Sequence, residues 1–160
     1  MDEILLWRRL EGRSGHEVGR ELLAEGYRAI TGYDLPPIVI APRGKPYFEG
    51  SPLHFSISHT KSHAFCAISS VPVGIDAEET DRKVNLKLGE KILSPAEFAR
   101  WDGTAESLLR FWVLKEAAAK LTGEGLRGYP NHTDFDPMDE RIQIIDGCIL
   151  AVLKENDYVI

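Results

Sequence analysis

The 160-residue sequence has little of what marks several protein classes. It contains two cysteines, Cys66 and Cys148, which lie far apart in apolar runs and form neither a disulfide framework nor a zinc signature. We therefore expect both to be buried free thiols. No window approaches the ~20 consecutive apolar residues of a membrane span. The first ten residues, MDEILLWRRL, lack the basic segment and long apolar run of a secretion signal. A cytoplasmic protein without membrane contact is the expectation.

The sequence also has no surplus of positive charge. Its 19 Lys and Arg residues stand against 25 Asp and Glu residues, giving a formal net charge of -6 and a pI near 5.4. This balance argues against a nucleic-acid binder, whose affinity depends on neutralising phosphates. An anionic ligand would have to meet a local basic cluster. The 43% hydrophobic and 28% charged residues are ordinary for a soluble globular protein of one domain or two small lobes.

The first half of the chain combines one amphipathic helix with short strands. Glu17 to Thr31 has apolar residues at helical spacing, and Gly32 follows as a stop. Ile38–Ile40 and Tyr47–Phe48 flank a turn. Alternating apolar residues from Leu53 to Ile57 predict a half-buried strand. Two further strands are predicted over 64–71 and 73–78.

The second half begins with two capped helices and ends in a hairpin. Ser94, followed by Pro95 and Glu97, predicts a capping box for a short helix that ends near Trp101. Thr104 is predicted to cap a longer helix, 105–121, which Gly123 ends. Strands on either side of an Asp-Gly turn, 142–145 and 148–153, predict a β-hairpin, with a further turn over 155–157.

The segment VGIDAEE places two carboxylates on one side of a predicted strand. Asp76 and Glu78 share a face, about 7 Å apart, and like charges at this distance repel each other. A hard divalent cation such as Mg2+, which prefers oxygen ligands, would relieve the repulsion. Solvated acids at the end of a surface strand are the alternative. Glu79 points to the opposite face, where we expect it to be solvated.

Two segments further upstream carry groups suited to phosphate. Arg43 and Lys45 flank a glycine that permits close approach of a ligand to the backbone. Ser58 and His59 end a strand in HFSISHTKSHAF, and a hydroxyl with an imidazole at a polar turn suits a phosphate better than a hydrolase triad, since no nucleophile elbow surrounds Ser58. Solvated cations and a capped turn with an exposed histidine remain the alternatives.

The helix FWVLKEAAAKLTGEGL carries a polar stripe beside its apolar one. Trp112, Glu116 and Lys120 lie four residues apart and share a face. A solvent-exposed Glu-to-Lys pair, worth about 0.3 kcal/mol, would account for the last two. A functional pair is the other interpretation.

Taken together and in this order, RGKPYF, FSISHT, GIDAE and FWVLKEAAAKLTGEGL resemble the motifs of the 4′-phosphopantetheinyl transferases, of the two-lobed surfactin-synthetase-activating type. The resemblance covers residues 43–126. It implies an α+β fold with two pseudo-symmetric lobes, each a helix on a small, mostly antiparallel sheet, and a shortened first lobe. The expected boundaries are residues 1–71 and 72–160.

The resemblance also implies roles for individual residues. It makes Asp76, Glu78 and Glu116 ligands of Mg2+, and it makes Lys120 a contact of the coenzyme A pyrophosphate and a catalytic group. The expected contacts of the rest of coenzyme A are Arg43, Lys45, Ser58 and His59. Glu116 is the expected general base, with Glu97 as the alternative, and Lys115 has at most a supporting role.

The implied reaction transfers the 4′-phosphopantetheine arm of coenzyme A to a serine of an apo acyl or peptidyl carrier protein and releases 3′,5′-ADP. A degenerate coenzyme A-binding module is the alternative function, and the compact holo-acyl-carrier-protein synthase, which forms its site between subunits, is the alternative type. Because the GKP and SxSH motifs precede GIDAE in one chain, we expect a monomer. The short first lobe leaves Arg13, His16 or Arg20 to replace missing coenzyme A contacts.

Overall fold

The computed structural model describes residues 3–123 and 134–155. Its helices and strands are, in chain order, β1 (Ile4–Arg9), α1 (Gly15–Thr31), β2 (Ile38–Ile40), β3 (Pro46–Phe48), β4 (His54–His59), β5 (His63–Ser69), β6 (Val73–Glu79), α2 (Leu88–Ile92), α3 (Pro95–Arg100), α4 (Ala105–Thr122), β7 (Ile142–Ile145) and β8 (Cys148–Lys154).

The first sheet has the strand order β1-β5-β4, with antiparallel pairing throughout, and α1 packs on one of its faces. Ser14 caps α1 by accepting a hydrogen bond from the Glu17 backbone N–H, and Gly32 ends the helix in the left-handed conformation with φ of 80°. The apolar side of α1 buries Val18, Leu22 and Leu23 against alternate residues of the sheet. A two-stranded ribbon, β2-β3, lies beside this layer.

The second sheet repeats this arrangement with the order β6-β8-β7, again antiparallel, and α4 packs on its outer face. Its hairpin turns at Asp146 and Gly147, both with positive φ, as the Asp-Gly pair predicts. Gly74 on β6 lets α4 approach closely, because a Cβ at this position would lie 2.1 Å from the Ala117 carbonyl oxygen. The absence of a side chain on Gly74 therefore lets α4 pack directly against β6.

The inner faces of the two sheets pack against each other and form a third core. Phe65 and Ala67 of β5 meet Ile75 and Ala77 of β6 and Leu150 of β8 there. Beside this core the two edge strands β4 and β6 run together. Their contact uses side chains: Ser56 Oγ accepts from the Ile75 N–H and Ser58 Oγ from the Ala77 N–H, each at 3.1 Å.

The α+β class with small antiparallel sheets and helices is confirmed, as are the capping box of α3 and the caps of α4. Two elements were missed. The sequence of β1 does not alternate between apolar and polar residues, and this strand is defined by its pairing with β5. Helix α2 has only five residues and no side-chain cap. The predicted division at residue 71 stays a prediction. The motif residues 124–126 and most of the predicted turn over 155–157 lie outside the described residues.

Among the described residues, none of the helices has both the length and the apolar character that crossing a membrane requires.

Candidate functional site

A cleft of about 570 Å³ opens where α1, the β2-β3 ribbon, β4 and the end of α4 meet. Its walls bring together residues from three of the four sequence motifs. The lining residues are His16, Arg20, Ile40, Arg43, Gly44, Lys45, Pro46, Phe55, Ser56, Ile57, His59, Glu116, Ala119, Lys120 and Gly123.

The turn of the β2-β3 ribbon supplies the first basic group of the cleft. Gly44, with φ of 95°, allows this turn, and Arg43 and Lys45 flank it as predicted. Lys45 Nζ donates a 2.7 Å hydrogen bond to the carbonyl oxygen of Leu121 in the last turn of α4. Burial lowers the pKa of Lys45. The ribbon is thereby attached to the same helix that carries Glu116 and Lys120.

Helix α1 supplies a second basic group, because His16 and Arg20 lie one turn apart and both line the cleft. His59 of β4 lies against the start of α1: a Cβ on Gly15 would come within 2.2 Å of the His59 ring. Gly15 thus makes room for His59 at the cleft wall. Arg13, the third candidate of the sequence analysis, instead forms ion pairs with Glu17 and Glu21 along α1.

Asp76 of β6 is not among the residues that line the cleft, but it contacts Lys120, which lines it, and Ser58 of β4. Its Oδ1 accepts hydrogen bonds from Ser58 Oγ at 3.3 Å and Lys120 Nζ at 3.4 Å. Its Oδ2 is buried and has no hydrogen-bond partner among the described residues. Burial is the main reason that the pKa of Asp76 rises to about 7, with the charges of Glu116 and Glu78 adding to the rise and Lys120 opposing it.

The other two predicted acids lie near enough to act on Asp76 through their charges. Burial raises the pKa of Glu116, Lys120 opposes this, and Glu78 adds to it. Glu78 forms an ion pair with Arg82, four residues further along the chain. The three carboxylates therefore form one repelling group, although their oxygens are not all within 4.8 Å of one another.

The geometry bears on three sequence interpretations, those of Ser58, Glu79 and Glu97. Ser58 is buried and directed at Asp76 and the Ala77 N–H, so its hydroxyl lies in the seam between β4 and β6 instead of among the lining residues of the cleft. Glu79 does point away from Asp76, but it is not solvated: Ser62 and Cys148 both donate to its carboxylate.

Glu97, the alternative base, is completely buried. Its carboxylate accepts from the backbone N–H groups of Ser94 and Phe135 and lies 2.6 Å from Lys115 Nζ. The capping box and this ion pair account for both residues, and Glu97 is not among the residues that line the cleft. The capping pattern of Ser94, Pro95 and Glu97 in the sequence had already indicated a structural role for Glu97.

The comparisons with known proteins agree with the motif assignment. The family model of the 4′-phosphopantetheinyl transferase superfamily matches residues 72–154, just over half of the chain. A 4′-phosphopantetheinyl transferase of Bacillus subtilis is 32% identical over 108 residues, which is 61% of this chain and 48% of that protein.

Two further relatives match shorter parts of the chain. The 4′-phosphopantetheinyl transferase gsp of Aneurinibacillus migulanus is 33% identical over 88 residues, 52% of this chain and 36% of that protein. A holo-[acyl-carrier-protein] synthase of Roseiflexus castenholzii is 54% identical over 39 residues, 24% of this chain and 29% of that protein. The chain spans between 36% and 48% of the length of the first two relatives.

Proposed function

This chain belongs to the 4′-phosphopantetheinyl transferase superfamily, and from that premise we propose that it transfers the 4′-phosphopantetheine arm of coenzyme A to a serine of an apo carrier protein. The observation that carries the proposal is the cleft itself. It combines basic side chains from three elements, Arg20, Arg43 and Lys120 among them, with the Glu116 carboxylate in a protein whose net charge is -6. A concentration of cations against the overall charge suits a ligand with several phosphates.

The acids of this site, Glu116 on the cleft wall with Asp76 and Glu78 near enough to interact with it, suit a hard divalent cation. Asp76 Oδ2 is a buried carboxylate oxygen without a hydrogen-bond partner among the described residues, and such an atom is costly unless a ligand satisfies it. Oxygen donors are what Mg2+ prefers. Asp76, Glu78 and Glu116 would hold Mg2+, and the ion would supply charge neutralisation at the pyrophosphate of coenzyme A.

The side chains of the cleft have different roles in the proposed reaction. Arg43, Lys45 and His59, together with His16 and Arg20, bind and orient the phosphates of coenzyme A. Lys120 offsets negative charge at the phosphorus that is attacked. Glu116, half-buried and with a raised pKa, takes the proton of the carrier serine hydroxyl. The serine oxygen forms its bond to phosphorus as the bond to 3′,5′-ADP breaks, and 3′,5′-ADP leaves with the electron pair.

The partner in this proposal is an apo acyl or peptidyl carrier protein of cytoplasmic fatty-acid, polyketide or peptide synthesis. Such carriers resemble small acidic helical bundles, and this chain is acidic as well. Recognition would therefore rely on an apolar patch with a local basic rim and show modest salt dependence. Because all the proposed site residues come from one chain, the active form would be a monomer.

A panel of apo carrier proteins, incubated with the protein, coenzyme A and Mg2+, tests the proposal. Mass spectrometry should detect the added 4′-phosphopantetheine as an increase in the mass of at least one carrier. Omission of Mg2+ should abolish this increase in mass. Coenzyme A binding without transfer to any carrier would instead identify a degenerate binding module. An obligate trimer in light scattering would contradict the monomer and favour a site between subunits.

A further inference from the structure

A second group of potential metal ligands lies at the C-terminal end of β6, and none of its residues is among those that line the cleft. Within residues 3–123 and 134–155, His63, Glu79 and Cys148 have one donor atom each that lie within 4.8 Å of one another. We call these three residues the hairpin cluster, because the β4-β5 and β7-β8 hairpins meet there. His63 and Cys148 are buried and Glu79 is partly buried.

The distances within the hairpin cluster are close to those of a zinc site. Cys148 Sγ lies 3.5 Å from His63 Nδ1 and 2.9 Å from Glu79 Oε2. In tetrahedral coordination, bond lengths of about 2.3 Å to sulfur and about 2.1 Å to nitrogen or oxygen separate sulfur from either neighbour by roughly 3.6 Å. The sulfur-to-nitrogen distance already matches, and Glu79 would have to withdraw by less than about 1 Å.

The imidazole of His63 is held in the orientation that a metal ligand needs. Its Nε2 lies 2.7 Å from Asp146 Oδ2, and Arg9 forms an ion pair with the same carboxylate at 2.7 Å. The Asp146 carboxylate thus holds the imidazole from its Nε2 side. On the other side of the ring, Nδ1 lies 2.6 Å from Ser62 Oγ and 3.5 Å from Cys148 Sγ. A metal on Nδ1 would replace the Ser62 contact, while Asp146 keeps the position from which a carboxylate orients a ligating histidine.

We propose that the hairpin cluster binds a borderline-soft divalent transition metal such as Zn2+, through His63 Nδ1, Cys148 Sγ and a Glu79 carboxylate oxygen. A mixed nitrogen, sulfur and oxygen donor set favours such an ion over Mg2+, which suits the oxygen-only group of the cleft. The ion would join β5 of the first sheet to β6 and β8 of the second. The proposal does not rest on the transfer reaction, because His63, Glu79 and Cys148 differ from all the residues that are assigned a role in that reaction.

Cobalt titration of the full chain tests this proposal through its sulfur ligand. The protein is stripped with EDTA, transferred to buffer with excess Mg2+ and a thiol-free reductant, and titrated with Co2+. A sulfur-to-cobalt charge-transfer band in the near ultraviolet should saturate at one equivalent and disappear when Zn2+ is added. Zn2+ should also raise the melting temperature by several degrees, because an ion bound only to the native state stabilises it.

The two cysteines provide a matched pair of variants. Cys148→Ala should lose the band, and Cys66→Ala, which removes a buried thiol of β5 outside the cluster, should keep it. His63→Gln retains the thiol and should weaken Co2+ binding at least tenfold. The proposal is overturned if the wild-type protein develops no band, or if Cys148→Ala or His63→Gln binds Co2+ as the wild type does. The wild-type titration decides the matter even where a variant fails to fold.

Discussion

Lys120 of α4, which lines the cleft, forms an ion pair with Asp76 of β6, with 3.4 Å between Nζ and Oδ1. The same ammonium donates a 3.2 Å hydrogen bond to the Ile57 carbonyl oxygen of β4. One side chain therefore connects α4 to the edge strands of both sheets. Because about a third of the Lys120 side chain is exposed, its charge is also available to a ligand in the cleft.

Replacing Lys120 with methionine should separate its role in ligand binding from its role in the fold. Methionine keeps most of the apolar stem and removes the charge, so coenzyme A affinity should fall about 10- to 100-fold, as expected for the loss of a charge-assisted contact to phosphate. Isothermal titration calorimetry measures this. Mg2+ binding should persist, since the proposed ligands are carboxylates. Lys91→Met, which removes an exposed lysine of α2, is the control and should bind coenzyme A normally.

Glu116→Gln keeps the side-chain shape and removes the proposed base. Transfer should fall a hundredfold or more, equivalent to about 2.7 kcal/mol of transition-state stabilisation. The melting temperature without metal should stay the same or rise, because three repelling carboxylates become two. Glu106→Gln on the exposed side of the same helix should change neither quantity. A Glu116→Gln protein with normal turnover would mean that Glu116 and Lys120 are an ordinary pair of helix surface charges.

The stability of the metal-free protein should depend on pH through Asp76. Its pKa is about 7 in the native state, against 3.8 for an unperturbed aspartate. The native state therefore binds this proton more tightly than the unfolded chain, and the associated stability is complete below about pH 4 and lost as the pH rises through 7.

Asparagine cannot ionise, so the Asp76→Asn variant should not show this loss of stability at rising pH. Between pH 4 and 8 in EDTA, the free energy of unfolding of the wild type should fall relative to that of Asp76→Asn by about 1 to 3 kcal/mol. Urea denaturation at several pH values provides the measurement. Parallel curves for the two proteins would show that Asp76 ionises in the native state without cost.

Glu97→Gln should damage the fold and not the chemistry. The substitution removes the carboxylate that lies 2.6 Å from the buried Lys115 ammonium, and breaking a buried ion pair on one side costs about 3 to 5 kcal/mol. Transfer per folded molecule should be unchanged. The double variant Glu97→Gln with Lys115→Met should recover part of the lost stability. If Glu97→Gln is stable and inactive, Glu97 is the base after all.

Gly74→Ala should separate α4 from β6. Its Cβ would lie 2.1 Å from the Ala117 carbonyl oxygen and 2.5 Å from the Leu121 backbone nitrogen, and backbone atoms of a packed helix cannot move aside cheaply. We expect a loss of at least about 2 kcal/mol in the free energy of unfolding, measured with urea. Coenzyme A affinity should fall too, since Asp76 and Lys120 depend on this packing. Unchanged stability would contradict the close approach.

Local chemistry explains which elements could be predicted from the sequence. Thr104 and Gly123 bound α4, Ser94 and Glu97 form the capping box of α3, and Asp146 with Gly147 turns the last hairpin, each through contacts within a few residues. β1 has no such local signal. Ile4 pairs with Ile68, and no pattern within ILLWRR indicates a partner so far along the chain.

For the candidate site, too, the sequence predicted some features and not others. Motif order and helical spacing were enough to predict the family, which is confirmed by the match over residues 72–154, and to nominate Asp76, Glu116 and Lys120. They were not enough to distinguish Glu97 from these acids, because burial beside Lys115 follows from how α3 and α4 pack. Nor did strand alternation reveal that Glu79 contacts Ser62 of the β4-β5 turn and Cys148 of β8.

The sequence by itself determined the family, the secondary-structure class and the residues with the chemistry for phosphate and a divalent cation, because these depend on residue type and on spacing along one helix or strand. Only the tertiary structure decided which charges meet. It brings Lys120 within hydrogen-bond distance of Asp76 and pairs Lys115 with Glu97. It also places His63 next to Cys148, which is 85 residues further along the chain. The physical reason is that burial and distance set the energy of a charge, and both are properties of the packed sheets and helices.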